Sequence, residues 1–330
     1  MKRLAWAALG ALVANACAAA ACWYDVPDVT TMVDSGGPEA ATDAAPTDAG
    51  TDVMDAGCNP DAPFGTPVVV PGFANPSYDE RYPRLSPDEL TIYYAFGPSS
   101  GPFVLFTASR TSTTTPFGAG SPIAGLTGGS GSDNNITVSS DGLTALISST
   151  RTQSSVNPNV SQIWSTLRTS PSSAFLPPAW SNTTFGSQNG DFDPYFVTGN
   201  LFYYAHLPIN GSVDLSAASV VVEPDAGIYG AGPAVDISNL NSSADDRAPV
   251  VTPDELTIYF ASNRGSDGGT NVWTSSRPSN AIAWQTPWMV AELAGFGNPR
   301  PGWISADGCR LYLTSRAAGS DDIYLATRGK

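Results

Sequence analysis

From about residue 82 onward, apolar and polar positions alternate with a period of two in short bursts, each broken by a turn-forming pair. The clearest are "YPRLSPDELTIYYAF" at 82 and "APVVTPDELTIYFASNR" at 248, which repeat nearly one phrase across a Pro-Asp turn. Looser versions at 136, "ITVSSDGLTALISSTR", at 193, "DPYFVTGNLFYYAH", and at 301, "PGWISADGCRLYLTSR", complete a set of five centred on Asp88, Asp141, Gly199, Asp254 and Asp307. Alternation rich in β-branched and aromatic residues, interrupted by Pro-Asp, Asp-Gly or Gly-Asn, predicts strand, tight turn and strand in each unit. The third unit is one residue short and the most degenerate.

A third strand is predicted after each pair: "FVLFTASR", "QIWSTLR", "VDLSAASV", "NVWTSSR" and "DIYLATR". In four of these an aromatic stands four residues before an Arg, at Phe106/Arg110, Trp164/Arg168, Trp273/Arg277 and Tyr324/Arg328, and the aromatics are expected to pack sheet against sheet. A fourth element, led by an aromatic, reads "FGTPVVV" at 64, "FGAGSPI" at 117, "WSNTTF" at 180, "YGAGPAV" at 229 and "WQTPWMV" at 284. This series is displaced: the chain enters on a fourth element and ends on a third strand. A closed ring explains it, because the segment at 64 can supply the outer strand missing from the unit that ends at Arg328. The expected fold is all-β, a five-bladed β-propeller of four-stranded antiparallel blades over residues 63–330, closed by an N-terminal outer strand.

"SPDELTIYFASNR"-like sequence followed by Gly-rich residues and "NVWTSSR" resembles the WD40-like repeat of the TolB β-propeller family, specifically in four units and weakly in the third. The resemblance implies an exported or surface lipoprotein whose propeller serves as an interaction scaffold.

Closure also makes a test of two cysteines. Cys58 precedes the first outer strand and Cys309 lies in the second strand of the last unit, so a closed ring puts both in one blade and predicts a disulfide there.

The N-terminus changes the picture from fold to location. Lys2 and Arg3 precede an apolar run from Leu4 to about Ala14, too short for a lasting membrane span and right for an export signal, here residues 1–21. Cys22 after Ala19-Ala20-Ala21 is the preferred lipidated residue, Cys17 after Ala14-Asn15-Ala16 the alternative, and ordinary signal cleavage a third reading. Residues 22–62 form an acidic tether: from Trp23 to Asp61 there are nine acidic residues and no Lys or Arg, so little apolar surface offsets the entropy of ordering. The formal net charge of −15 divides as +2 in the signal, −9 in the tether and −8 in the rest, and argues against nucleic acid as partner.

Candidate chemistry gathers where the first strands begin. Arg81, Arg247 and Arg300 each stand seven residues before their turn Asp, accompanied by Asp79 and Glu80, by Asp245 and Asp246, and by Asn298. The other units offer Asp133 with Asn134, and Asp191 with Asp193. First strands line a propeller channel, so these groups are expected at one mouth, as ion pairs holding blades together or as a polar ligand site. A glycosidase would use Asp79, Asp133, Asp191 and Asp245 as acid and base or nucleophile. His206 is the single histidine, which excludes a multi-His zinc site; no nucleophile elbow or phosphate loop appears, and "GSDGGTN" at 265 reads as a hairpin turn rather than a calcium loop. No cofactor is expected. The combined reading is a cell-envelope lipoprotein whose non-catalytic propeller binds a protein or glycan, with a propeller glycoside hydrolase as the alternative.

Overall fold

The computed structural model describes residues 57–127, 131–151, 160–180, 190–197, 201–208, 211–222 and 229–330. Every described residue belongs to one compact unit, within residues 52–330. The signal segment, Cys17, Cys22, most of the tether and the turn at Gly199 lie outside the described residues.

Chain order first gives β1 (Val68–Val69). Blade one follows with β2 (Asp79–Leu85), β3 (Thr91–Gly97), β4 (Val104–Ser109) and β5 (Ser121–Pro122). Blade two has β6 (Asp133–Val138), β7 (Thr144–Ser149), β8 (Gln162–Leu167) and β9 (Ala179–Trp180). Blade three has β10 (Asp191–Phe196), β11 (Leu201–His206), β12 (Asp214–Val222) and β13 (Tyr229–Val235). Blade four has β14 (Asp246–Val251), β15 (Thr257–Ser262), β16 (Asn271–Ser276) and β17 (Trp288–Met289). Blade five has β18 (Arg300–Ile304), β19 (Arg310–Ser315) and β20 (Asp322–Thr327).

These strands form five four-stranded antiparallel sheets, and the fifth runs β1-β20-β19-β18, with Val68 opposite Leu325 and Val69 opposite Tyr324. The protein is a five-bladed β-propeller closed by its N-terminal outer strand. Each first strand packs on the first strands of both neighbouring blades, and β18 packs back on β2. Middle strands are buried on both faces because blades lie on either side of them; Ile92, Ile147, Phe202, Phe260 and Leu313 are fully enclosed.

The repeated turn phrase has a local cause. Asp88, Asp141, Asp254 and Asp307 each accept the backbone N–H two residues on, at 2.9–3.0 Å. Each also accepts the hydroxyl two residues back, from Ser86, Ser139, Thr252 or Ser305. An Asx turn closed by a hydroxyl holds the first two strands of a blade in register.

Every first strand carries a bulge at about the same depth. In three of them it is a residue in the left-handed region followed by proline: Tyr82 (φ 55°), Asp193 (φ 53°) and Ala248 (φ 50°). Such a conformation disfavours side chains with a Cβ and persists only where surrounding packing imposes it. In blade five the residue that the register skips is Gly302, at the place of Pro83, where an added Cβ would lie 2.5–2.7 Å from Pro83 of blade one.

The closure is stapled. Cys58 and Cys309 form a disulfide with Cα atoms 6.3 Å apart, across a sequence separation of 251. Phe64 bridges Arg328, and Asn59 N donates to Gly329 O at 3.0 Å, so pairing with the last blade already begins at residue 59, ahead of β1.

The outer strand of blade two corrects one expectation. Its leading aromatic is Phe175, not Trp180: the residue pairs Phe64/Val68, Phe117/Ser121, Phe175/Ala179 and Trp284/Trp288 all place the ring four positions ahead of the strand start. In each case the ring lies under the Arg that ends the third strand of its blade: Arg328 over Phe64 at 4.2 Å, Arg110 over Phe117 at 4.4 Å, Arg168 over Phe175 at 4.4 Å and Arg277 over Trp284 at 4.2 Å. Each pair contributes about 0.5–2 kcal/mol.

Candidate channel site

Strand register decides which of the sequence-predicted groups are equivalent. Arg81 lies opposite Ala95, Arg247 opposite Ala261 and Arg300 opposite Thr314, one shared position on three blades. The neighbouring position toward the mouth carries Glu80, Asp133, Asp191 and Asp246, opposite Phe96, Ser149, His206 and Ser262. Glu80 and Asp246 are thus the equivalents of Asp133 and Asp191, whereas Asp79 and Asp245 stand two residues before Arg81 and Arg247 and each pairs with that arginine.

These acids are engaged. Asp133 accepts Arg151 Nε at 2.9 Å, Arg151 Nη2 at 2.7 Å and the Ser149 hydroxyl at 2.6 Å. Asp191 pairs with His206 Nδ1 at 2.8 Å, and Asp246 with Arg264 at 2.6 Å. The Asp191 carboxylate, chiefly through this hydrogen bond, raises the His206 pKa above its ordinary value. Asp79 pairs with Arg81 and accepts the Ser99 hydroxyl at 2.8 Å; Arg81 also meets Asp321 at 2.6 Å, tying blade one to blade five. Asp193 accepts Ala248 N at 3.2 Å from blade four and Asn135 Nδ2 at 3.5 Å from blade two, strapping three blades together.

Glu80 lacks such a cation. Where blade two has Arg151 and blade four Arg264, blade one has Pro98, and Glu80 instead faces Asp322 and Asp79. Burial, with those two carboxylates adding to it, pushes Glu80 up to about 7. Burial likewise raises Asp322.

The channel axis is filled. Arg84 is 2 % exposed, lies 5.0 Å over the Tyr195 ring, and donates to the carbonyls of Gly302 and Pro194. Burial lowers its pKa to about 10, so it stays charged at neutral pH. At the turn-side end a cavity of about 220 Å³ is bounded by Arg84, Tyr195, Phe196, Val251, Trp303 and Ile304. At the opposite end, where the first strands start, a smaller polar cavity of about 160 Å³ lies among Asp245, Arg247, Ala261, Asn263, Thr270 and Arg300. Tyr82 hydrogen bonds with Arg300 beside it and feels the charges of Arg81, Arg247 and Arg300 together. Thus the three arginines found by spacing meet at one mouth, whereas Asp133 and Asp191 are spent on pairing inside their own blades.

No protein-family model matches the chain, and no curated protein matches it by sequence. Solved structures match by shape. The family 117 glycoside hydrolase Zg3597 from Zobellia galactanivorans superposes with a TM-score of 0.54 at 13% identity, over 81% of this chain and 90% of that one. The endo-arabinase from Bacteroides thetaiotaomicron gives 0.51 at 12% identity, over 81% and 97%. A protein assigned as TolB from Agrobacterium tumefaciens gives 0.41 at 17% identity, over 73% and 71%. What these proteins share with the chain is the fold. A shared fold does not fix a shared function, so the choice between scaffold and enzyme rests on the site itself.

Proposed function

We propose that the protein is an exported, lipid-anchored component of the cell envelope whose propeller binds a protein or glycan partner without turning it over. The observation that carries the non-catalytic reading is the state of the acids. A glycosidase needs two carboxyl groups flanking an accessible bond, roughly 5–5.5 or 6.5–9.5 Å apart. Asp79, Asp133 and Asp191 are buried and each is held by an Arg or His, and Asp245, half-exposed at the mouth, stands 3.7 Å from Arg247 with no second carboxylate in the lining of its cavity. Export and anchoring are supported by the signal segment, the small-residue approach to Cys22 and the acidic tether.

The hydrolase reading has one observation in its favour. Glu80 and Asp322 form a carboxyl pair with raised pKa values, the kind of environment used to hold a general acid protonated. Against it, Glu80 is 4 % and Asp322 1 % exposed. The deciding experiment is a pull-down from envelope extract beside a polysaccharide hydrolysis screen. A saturable partner with no turnover supports the scaffold; hydrolysis abolished by Asp133→Asn, Asp245→Asn or Glu80→Gln in a folded variant overturns it. For the anchor, incorporation of a fatty-acid analogue should vanish in Cys22→Ala, and its loss in Cys17→Ala instead would move the anchor.

A further inference from the structure

The described arginines that lie beyond ion-pair distance of any described carboxylate are Arg84, Arg168, Arg300 and Arg328. Arg84, Arg168 and Arg328 each donate to backbone carbonyl oxygen and lie over an aromatic face, with the buried Nε of Arg84 and of Arg328 left without a partner among the described residues. Among the described residues Arg300 hydrogen bonds only the Tyr82 hydroxyl, with the carboxylates of Asp321 and Asp193 acting on it from beyond ion-pair distance. The reason lies in the repeat: Asp79 and Asp245 stand two residues before Arg81 and Arg247 and pair with them, but Asn298 stands at that place before Arg300. Blade five kept the cation and has an amide where the pairing acid would be.

A guanidinium has five N–H donors in a planar fork, and leaving them unanswered in a confined site is costly. Arg300 and Arg247 line the same cavity of about 160 Å³. Arg247 is only loosely neutralised, 3.7 Å from Asp245. Within the lining two cations stand against one carboxylate, with Asp321 and Asp193 acting on Arg300 from outside it, on a chain whose formal net charge is −15. The rest of the lining suits hydroxyl groups. Asp245 offers a carboxylate, Thr270 a hydroxyl, and Asn263, whose Oδ1 accepts Asp245 N at 2.9 Å, keeps its amide nitrogen as a donor. A bare anion would satisfy the arginines and leave these groups idle, while a neutral sugar would do the reverse.

We propose that this cavity is a subsite for a uronic acid residue of an acidic polysaccharide, its carboxylate against Arg300 and Arg247 and its ring hydroxyls against Asp245, Asn263 and Thr270. The proposal rests on the binding-scaffold reading and names its ligand class. Arginine favours this ligand because its fork matches a carboxylate with two parallel charge-assisted hydrogen bonds.

The test is titration calorimetry of the full-length protein with tri-galacturonate, tri-mannuronate, the methyl ester of tri-galacturonate, a triglutamate peptide and inorganic sulfate. At least one uronate trimer should bind, with the ester at least tenfold weaker. Arg300→Gln should weaken uronate binding at least tenfold and Thr270→Val about threefold, with melting unchanged. Should Arg300→Gln fail to fold, the acid-against-ester comparison and Thr270→Val carry the test. Binding of neither trimer, equal affinity for acid and ester, uronate affinity retained in Arg300→Gln, or tighter binding of triglutamate or sulfate would each overturn the proposal. Failure of the broader reading looks different: hydrolysis of the bound trimer removes the non-catalytic scaffold but leaves the subsite, whereas an envelope protein captured without any uronate affinity leaves the scaffold and removes the subsite.

Discussion

At the joint between blades four and five, Arg328 of the last strand donates to the Tyr259 hydroxyl of the neighbouring blade at 2.8 Å; at the joint between blades two and three, the same two positions are Val220 and Leu146. Three further joints repeat the first arrangement. Arg110 reaches Tyr312 at 3.2 Å, Arg168 reaches Tyr93 at 3.5 Å, and Arg277 hydrogen bonds Tyr203. Where the latch is missing, Leu146 and Ile163 of blade two close on Phe196, Phe202 and Ala218 of blade three in an apolar cluster of their own. Both partners are absent together. A buried phenol without its guanidinium leaves a polar group unpaired, so a joint is stable with the whole polar pair or with an apolar filling. The contrast also explains why the weakest repeat in the sequence still makes a complete blade.

Breaking the closure should have the largest effect. Cys58→Ser frees a loop of 251 residues and should lower stability by on the order of 4 kcal/mol, read by urea unfolding with and without reductant. An unchanged midpoint would place the strength of the ring in its latches and cores. Leu146→Ala comes next, because at this joint the apolar cluster stands in for the latch: a loss of about 3 kcal/mol is expected, and less than about 1 kcal/mol would mean the joint is not held by this cluster.

A third effect contrasts the one acid without a cation with its paired equivalents. Glu80 has a folded pKa of about 7 against an ordinary value of 4.5, so in that range the folded state binds a proton the unfolded chain has released. The stability tied to this proton is complete below about pH 4.5 and is lost as pH rises through about 7. Allowing for partial solvent screening, the loss is about 1–2 kcal/mol between pH 5 and 8, and Glu80→Gln should flatten it. A slope unchanged in that variant would assign the pH dependence to other groups.

Smallest is the latch itself. Tyr259→Phe should cost about 1 kcal/mol, and a double-mutant cycle with Arg328→Met should return a coupling of about 0.5–2 kcal/mol. Zero coupling would reduce the latch to a contact without consequence.

The blade count, strand order and closure were all legible in the sequence because their causes are short-ranged. Alternation assigns a strand's faces, an Asp in a four-residue turn pins two strands, and an outer strand displaced to the front of the chain has only one sheet left to join. The Cys58–Cys309 disulfide followed from that register. The site was legible only as a roll of residues: spacing brought out Arg81, Arg247 and Arg300, and Asp245 beside them, yet it did not show that Asp133 and Asp191 pair inside their own blades or that Phe175 leads the outer strand of blade two. A bulge or an offset of a few residues changes which side chains meet, and alternation sees neither.

What the tertiary structure alone decided is the electrostatic fate of each group. Glu80 is raised because burial encloses it and Asp322, more than two hundred residues away, is its neighbour; Arg300 has no ion pair because Asn298 stands where an acid pairs with Arg81 and Arg247, and Tyr82, from the far end of the chain, is its partner. Burial and charge pairing are properties of the assembled ring, summed over residues that no local pattern connects. For that reason one sequence can specify its architecture by repetition and still leave its chemistry to be written where the repeats meet.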